Sequence, residues 1–189
     1  MIIAHHVIFG AYGFWLPNDP RGSGSDYVFS ERLRQFGPAT KVFTTHSLAR
    51  NPHDVQHRLA AKNALKFPPV RFTGAQALTV SKGFRQVVAD TQLQIYACAI
   101  MPDHVHLVFA DHKRKAESLV NQLKSCATKR LTAEGVHPLH GKHSPWARHF
   151  WNVFLDSDDD VRRAIHYVEQ NPIRDGLRPQ HWSFVVPFE

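Results

Sequence analysis

The chain has 189 residues, 43% of them apolar and 11% aromatic, the composition of a globular protein with room for one domain and a full core. Lys and Arg outnumber Asp and Glu by 23 to 16, a formal charge of +7, which points either to a polyanionic partner such as nucleic acid or to a surface that is merely basic. Cys98 and Cys126 form neither a disulfide framework nor a metal-spaced pair, no apolar run reaches membrane-spanning length, and the first residues lack a charged-then-apolar leader pattern, so the expected setting is cytoplasmic, without a membrane.

Ile2 to Tyr12 is apolar and rich in β-branched and aromatic residues, and reads as a buried strand in which His5 and His6 are structural or edge residues. Gly13 to Ser23 is a loop by its Pro, Gly and Asn content. Within it Trp15 and Arg21 could stack on and clamp a single-stranded base or backbone, or Trp15 could tuck into the core. Residues 25–70 read as a basic surface insertion. Eight bases face three acids between Ser25 and Arg71, and Asp54 to Leu65 forms a short helix closed by Pro68-Pro69.

Thr73 and Gln76 form a capping box, and Ala77, Val80, Phe84 and Val87 follow at helical spacing to about Asp90. Gln94 to Asp111 then reads as two strands with a tight break at Met101-Pro102-Asp103. After the break the residues alternate. His104, His106 and Val108 share one face, and Val105, Leu107 and Phe109 share the other. Two imidazoles on one face, about 7 Å apart along a strand, can converge on one divalent ion.

A second, basic helix follows, with Leu119, Leu123, Cys126 or Ala127, and Leu131 on its apolar side and Lys124, Lys129 and Arg130 among its cations. Gly135, Pro138, Gly141 and Pro145 mark a loop, and Trp151 to Leu155 a strand. Asp156 to Asp160 caps and starts a third helix, with its acids placed to favour the N-terminus. Val161, Ala164, Ile165 and Val168 are its buried stripe; Arg163, Tyr167 and Asn171 lie on one flank. Pro172 is expected to end or kink this helix at Asn171, with Gly176 as a cap just beyond. A helical tyrosine at that place is either a residue at the core boundary or a phenol aimed at something beside the core.

The order strand, helix, strand, strand, helix, strand is the ferredoxin-like βαββαβ arrangement, an α+β fold with an antiparallel sheet backed by two helices. The His-Val-His strand is then central. An added C-terminal helix can cover the open face and bring Tyr167 to the histidines.

Two motifs carry a family resemblance: Met101-Pro102-Asp103-His104-Val105-His106 and Tyr167-Val168-Glu169-Gln170-Asn171-Pro172-Ile173-Arg174-Asp175-Gly176-Leu177. With the opening Gly13 to Gly22, they make the chain resemble a single-tyrosine transposase of the HUH nuclease superfamily. The group is the insertion-sequence-200-like one that includes the REP-associated tyrosine transposases. The resemblance spans most of the chain, least in residues 25–70. It implies that His104 and His106 hold Mg²⁺ or Mn²⁺ at a scissile phosphate, with Asn171, or else Gln170, as third ligand. It implies that Tyr167 attacks to give a 5′-phosphotyrosine link and a free 3′-hydroxyl. The implied substrate is single-stranded DNA bearing a hairpin, with Arg21, Lys124, Lys129 and Arg130 as backbone contacts and Trp15 as a stacking residue. Both a homodimer exchanging tyrosine helices and a monomer are compatible with it.

Other classes fit less well. A histidine-triad hydrolase needs a third histidine where Val108 stands, and the His-Ser pairs at His46 and His143 lack two-histidine phosphoesterase spacing. A non-catalytic or domesticated protein that binds repeat hairpins is the alternative. It would keep the fold and the basic surface without needing His104, His106 and Tyr167.

Overall fold

A computed structural model of the chain describes residues 1–20, 27–28, 30–39 and 52–189. Its elements are β1 (Ala4–Gly10), α1 (Glu31–Arg34), α2 (Val55–Asn63), α3 (Gly74–Thr91), β2 (Ile95–Ile100), β3 (His104–Ala110), α4 (Ala116–Ala133), β4 (Trp151–Leu155) and α5 (Asp158–Arg174). The strands form one sheet in the order β2-β3-β1-β4, every neighbouring pair antiparallel. That is the expected ferredoxin-like arrangement, with β1 and β3 in the middle.

Strand alternation divides the molecule into two cores. Val7 and Phe9 of β1 and Val105, Leu107 and Phe109 of β3 face α3 and α4, packing with Val80, Phe84, Val87, Leu119 and Leu123. On the opposite face Ala97, Ala99 and Val108 pack with Val161, Ala164 and Val168 of α5. Helix α3 begins at the expected capping box, with Thr73 and Gln76 each accepting from the other's backbone N–H. It crosses α4 closely at Gly83, where an added Cβ would lie 2.7 Å from the Ala127 Cα.

Helix α2 starts at Asp54, whose side chain accepts from His57 N. The single turn α1 had no periodic signal in the sequence. Helix α5 does not stop at Asn171 but runs through Pro172 to Arg174. Proline there removes one backbone donor, yet its ring is buried and the helix closes properly beyond it. Leu177 N donates to Pro172 O at 2.8 Å, Gly176 N to Ile173 O at 3.0 Å, and Gly176 has φ of 72°. This is a Schellman closure, in which a glycine takes the left-handed position and the last carbonyls are satisfied.

After α5 the chain returns along β2, the sheet edge. The Gln180 side chain accepts from Ile100 N at 2.8 Å and donates to Ile100 O at 2.9 Å, and Val186 N donates to Ile95 O at 2.9 Å. Edge groups that would otherwise invite another strand are thereby occupied. Among the described residues no helix is long and apolar enough to cross a membrane.

Candidate active site

The β3–β1 register decides which side chains meet. His106 pairs with Ile8, His104 with Gly10 and Val108 with His6. Directly paired residues share a face, so His6 lies on the same side as His104 and His106. His6 Nε2 is 3.2 Å from His106 Nδ1 and the two rings stack with centroids 5.4 Å apart. His104 stands edge-on to His106 at 4.8 Å.

Helix α5 closes this face. Ser157 caps it, accepting from Asp160 N at 3.2 Å, and Asp158, Asp159 and Asp160 occupy the first turn, where the helix dipole favours negative charge. The buried stripe of α5 then sets its rotation, so that the Tyr167 ring packs edge-on against His106 at 5.6 Å and His6 at 5.8 Å. Its phenolic oxygen makes no hydrogen bond among the described residues. Asn171, one turn on, donates through Nδ2 to Tyr167 O at 2.9 Å, which leaves its Oδ1 as the free end. Gln170 is half-buried on the adjacent flank. Arg163 turns away to pair with Asp160, whereas the Arg174 guanidinium lies 5.6 Å from the Tyr167 ring centre.

Burial disfavours the protonated form of both His6 and His106. Burial pushes His6 down to about 4, and burial first, then the His104 and His6 charges, holds His106 well below 6.5. Neutral imidazole is the form that binds metals. Each expected ligand also has its Nδ1 committed: His104 to Asp103 Oδ1 at 2.8 Å, and His106 to His6. This is the usual outer arrangement of a ligating histidine, one ring nitrogen fixed and the other left for the ion. Two imidazoles, each with Nε2 uncommitted, are chemically suited to a divalent ion, and Asn171 Oδ1 is an amide oxygen one helical turn after Tyr167. Among the described residues no three His, Cys, Asp or Glu side chains converge into a ready cage. An ion here would be weakly held and would draw its remaining ligands from substrate or water.

The expected DNA contacts divide. Arg21 lies outside the described residues. Lys129 and Arg130 are exposed on α4, which packs on the far face of the sheet from Tyr167. Lys124 needs correction: it is only 7% exposed, and its ammonium donates to Ala147 O at 2.9 Å and to Arg148 O and His149 O at 3.2 Å. Burial lowers it to about 8, yet three carbonyls match its three protons, so it fastens the 147–149 backbone instead of meeting phosphate. Trp15 is half-buried and rests 5.4 Å from Phe14, which itself stacks on His104 at 4.8 Å.

Sequence reasoning missed three supports of the site. Asp103, read only as a turn residue, orients His104 and also pairs with Arg71 at 3.4 Å. His6 needed the cross-strand register, which alternation within one strand does not contain. Arg174 falls seven residues after Tyr167, a spacing that returns to the same helix face and could have flagged it.

Comparison with known proteins assigns the class. Over 93% of this chain and 69% of the other, the fold matches the structure of a REP-associated tyrosine transposase bound to a REP hairpin, with a TM-score of 0.51 at 12% identity. A Haemophilus influenzae protein named as a REP-associated tyrosine transposase is 23% identical over 100 residues, 49% of this chain and 57% of that protein. The chain thus spans somewhat over half the length of this curated relative. The family model described as "Transposase IS200 like" matches residues 69–171, more than half of the chain. The chain belongs to the IS200-like transposase family.

Proposed function

We propose that this protein cleaves and rejoins hairpin-bearing single-stranded DNA through a covalent bond to Tyr167, in a reaction that depends on Mg²⁺ or Mn²⁺. The observation that carries the reading is the Tyr167 ring set against His106, itself a neutral, buried imidazole beside His104. A bound ion would supply charge neutralisation at the scissile phosphate and would help a phenol, with its ordinary pKa near 10, to react as phenolate.

In the proposed step the Tyr167 oxygen loses its proton and attacks phosphorus. The Oη–P bond forms as the P–O3′ bond breaks, and the leaving oxygen takes a proton to become a 3′-hydroxyl. The phosphodiester energy is retained in the 5′-phosphotyrosine, so a second 3′-hydroxyl can reverse the step without ATP. His104 and His106 would hold the ion, His6 and Asp103 keep their rings in place, and Asn171, with Gln170 as the alternative, would complete the protein's ligands. The hairpin substrate is supported by the related structure's bound REP hairpin and by the +7 charge.

The test is a denaturing gel of protein mixed with labelled hairpin DNA from the flanks of its own gene, with Mn²⁺ or with EDTA. A band at the mass of protein plus DNA is expected with Mn²⁺ alone and absent in Tyr167→Phe. Hairpin binding in native gels without any covalent band from the wild type would leave a binding protein and refute the catalytic reading.

A further inference from the structure

Outside the histidine–tyrosine cluster lies a pocket of about 270 Å³ between the Gly13–Pro17 loop, residues 27–28 and 30–39, and the 143–149 loop. Its wall includes Tyr12, Trp15, Tyr27, Trp146, Arg148 and His149. The volume falls below the roughly 300–1,000 Å³ of sites for drug-sized ligands, so it suits one planar group. We propose that this pocket receives a single unstacked nucleobase from the strand flanking the hairpin, with Trp15 as its stacking platform and Arg148 on the neighbouring phosphate. The inference rests on the DNA substrate proposed above.

Four features argue for it. First, the pocket adjoins the reaction site: Trp15 contacts Phe14, and Phe14 stacks on His104. His104 and the pocket wall are thus joined through two ring contacts. Second, the wall is aromatic with a cationic rim. Arg148 and His149 are exposed, and among the described residues the Arg148 guanidinium and the Trp15 indole N–H have no hydrogen-bond acceptor. Aromatic faces plus a free cation are what single-strand binding uses, because every base has a π-face and a phosphate beside it.

Third, the floor is fixed before any ligand arrives. Trp146 Nε1 donates to Lys124 O at 3.0 Å and Thr128 Oγ1 at 3.1 Å, Tyr12 N donates to Pro145 O at 2.8 Å, and Ala147 N to Gly10 O at 2.9 Å. The buried Lys124 ammonium holds the 147–149 carbonyls inward, which turns Arg148 and His149 outward. A prepared floor lowers the ordering cost of binding. Fourth, the wall joins Trp15, in the Gly13 to Gly22 opening, to Trp146, Arg148 and His149, within the stretch that matches the family model. The pocket is thus built from the same parts of the chain that carry the family likeness.

The test measures hairpin binding by fluorescence anisotropy, with abasic sites placed one at a time along the single-stranded flank, for wild type, Trp15→Ala and Trp15→Phe. In the wild type one flank position is expected to weaken binding by about 5- to 150-fold when its base is removed. That penalty should vanish in Trp15→Ala and persist in Trp15→Phe, which keeps a ring and controls for folding. Arg148→Ala should lower the slope of log affinity against log salt by about 1. A position-specific penalty of the same size in wild type and Trp15→Ala overturns the proposal, as does the lack of any sensitive position. A change of solution mass in Trp15→Ala, seen by light scattering, would assign the pocket to a second copy of the chain and overturn it too. If the Mn²⁺-dependent covalent band forms while no base is sensed, only the pocket fails. If hairpin DNA is neither bound nor cleaved, the DNA reading fails and the pocket with it.

Discussion

Gly83→Ala separates the scaffold from the site, and its sign can be worked out beforehand. In an open helix the change is stabilising by about 1 kcal/mol, since alanine is the better helix former. Here the new Cβ would lie 2.7 Å from both the Cα and the N of Ala127 and 2.9 Å from the Cys126 carbonyl carbon. Those are backbone atoms that no rotamer change can move. Carbon atoms pack at about 3.5–4.0 Å, so α3 and α4 must part by nearly 1 Å, and gaps of 0.5–1 Å forfeit a quarter to a half of each lost contact. Overpacking of this kind costs about 1–3 kcal/mol. Taking the upper end against the propensity gain leaves a net loss of about 2 kcal/mol, a fall in Tm of about 4–8 °C for a domain of this size. Thermal unfolding followed by circular dichroism measures it. Removing the Ala127 side chain in the same background should not rescue it, because the clash is with backbone. Since α3 and α4 pack on the sheet face away from Tyr167, cleavage well below the Tm should be unaffected. A rise in Tm would refute the close crossing.

Other changes reach the site and its supports. Asp103→Asn removes the carboxylate on His104 Nδ1; the Mn²⁺ concentration for half-maximal cleavage should rise about 10- to 100-fold, with metal-free hairpin binding unchanged in anisotropy. Lys124→Met strips three carbonyls of a charged donor, and the Tm should fall by about 4–8 °C for a loss of about 2 kcal/mol. In an Arg148→Ala background its salt slope for DNA binding should not change further, where a phosphate contact of Lys124 itself would shed about 1. Glu134 is held below its ordinary 4.5 by the Lys82 hydrogen bond first and the Thr79 hydrogen bond second. A lowered carboxylate contributes stability that is present above its ordinary pKa and is lost as pH falls through the folded value. Tm measured from about pH 6 to about pH 3 should therefore decline less steeply in Glu134→Gln than in wild type.

Much of this protein is written in local pattern. Alternation along β3 places His104 and His106 on one face and three core residues on the other, because a strand has a period of two wherever it sits. The three- and four-residue spacing of α5 puts Tyr167 and Asn171 together, and the Thr73–Gln76 box starts α3, since a helix repeats and caps within a few residues. The βαββαβ order followed from those elements. Tertiary structure decided what depends on neighbours far along the chain. His6 meets His106 across 100 residues through strand register, and Arg71 reaches Asp103 across 32. Lys124 looked like a surface cation from its helix position, but the 147–149 segment comes to rest over it and supplies three carbonyls. The pocket at Trp15 likewise exists only where three separate segments converge. Periodicity fixes which way a side chain points from its own backbone; only packing fixes what it finds there.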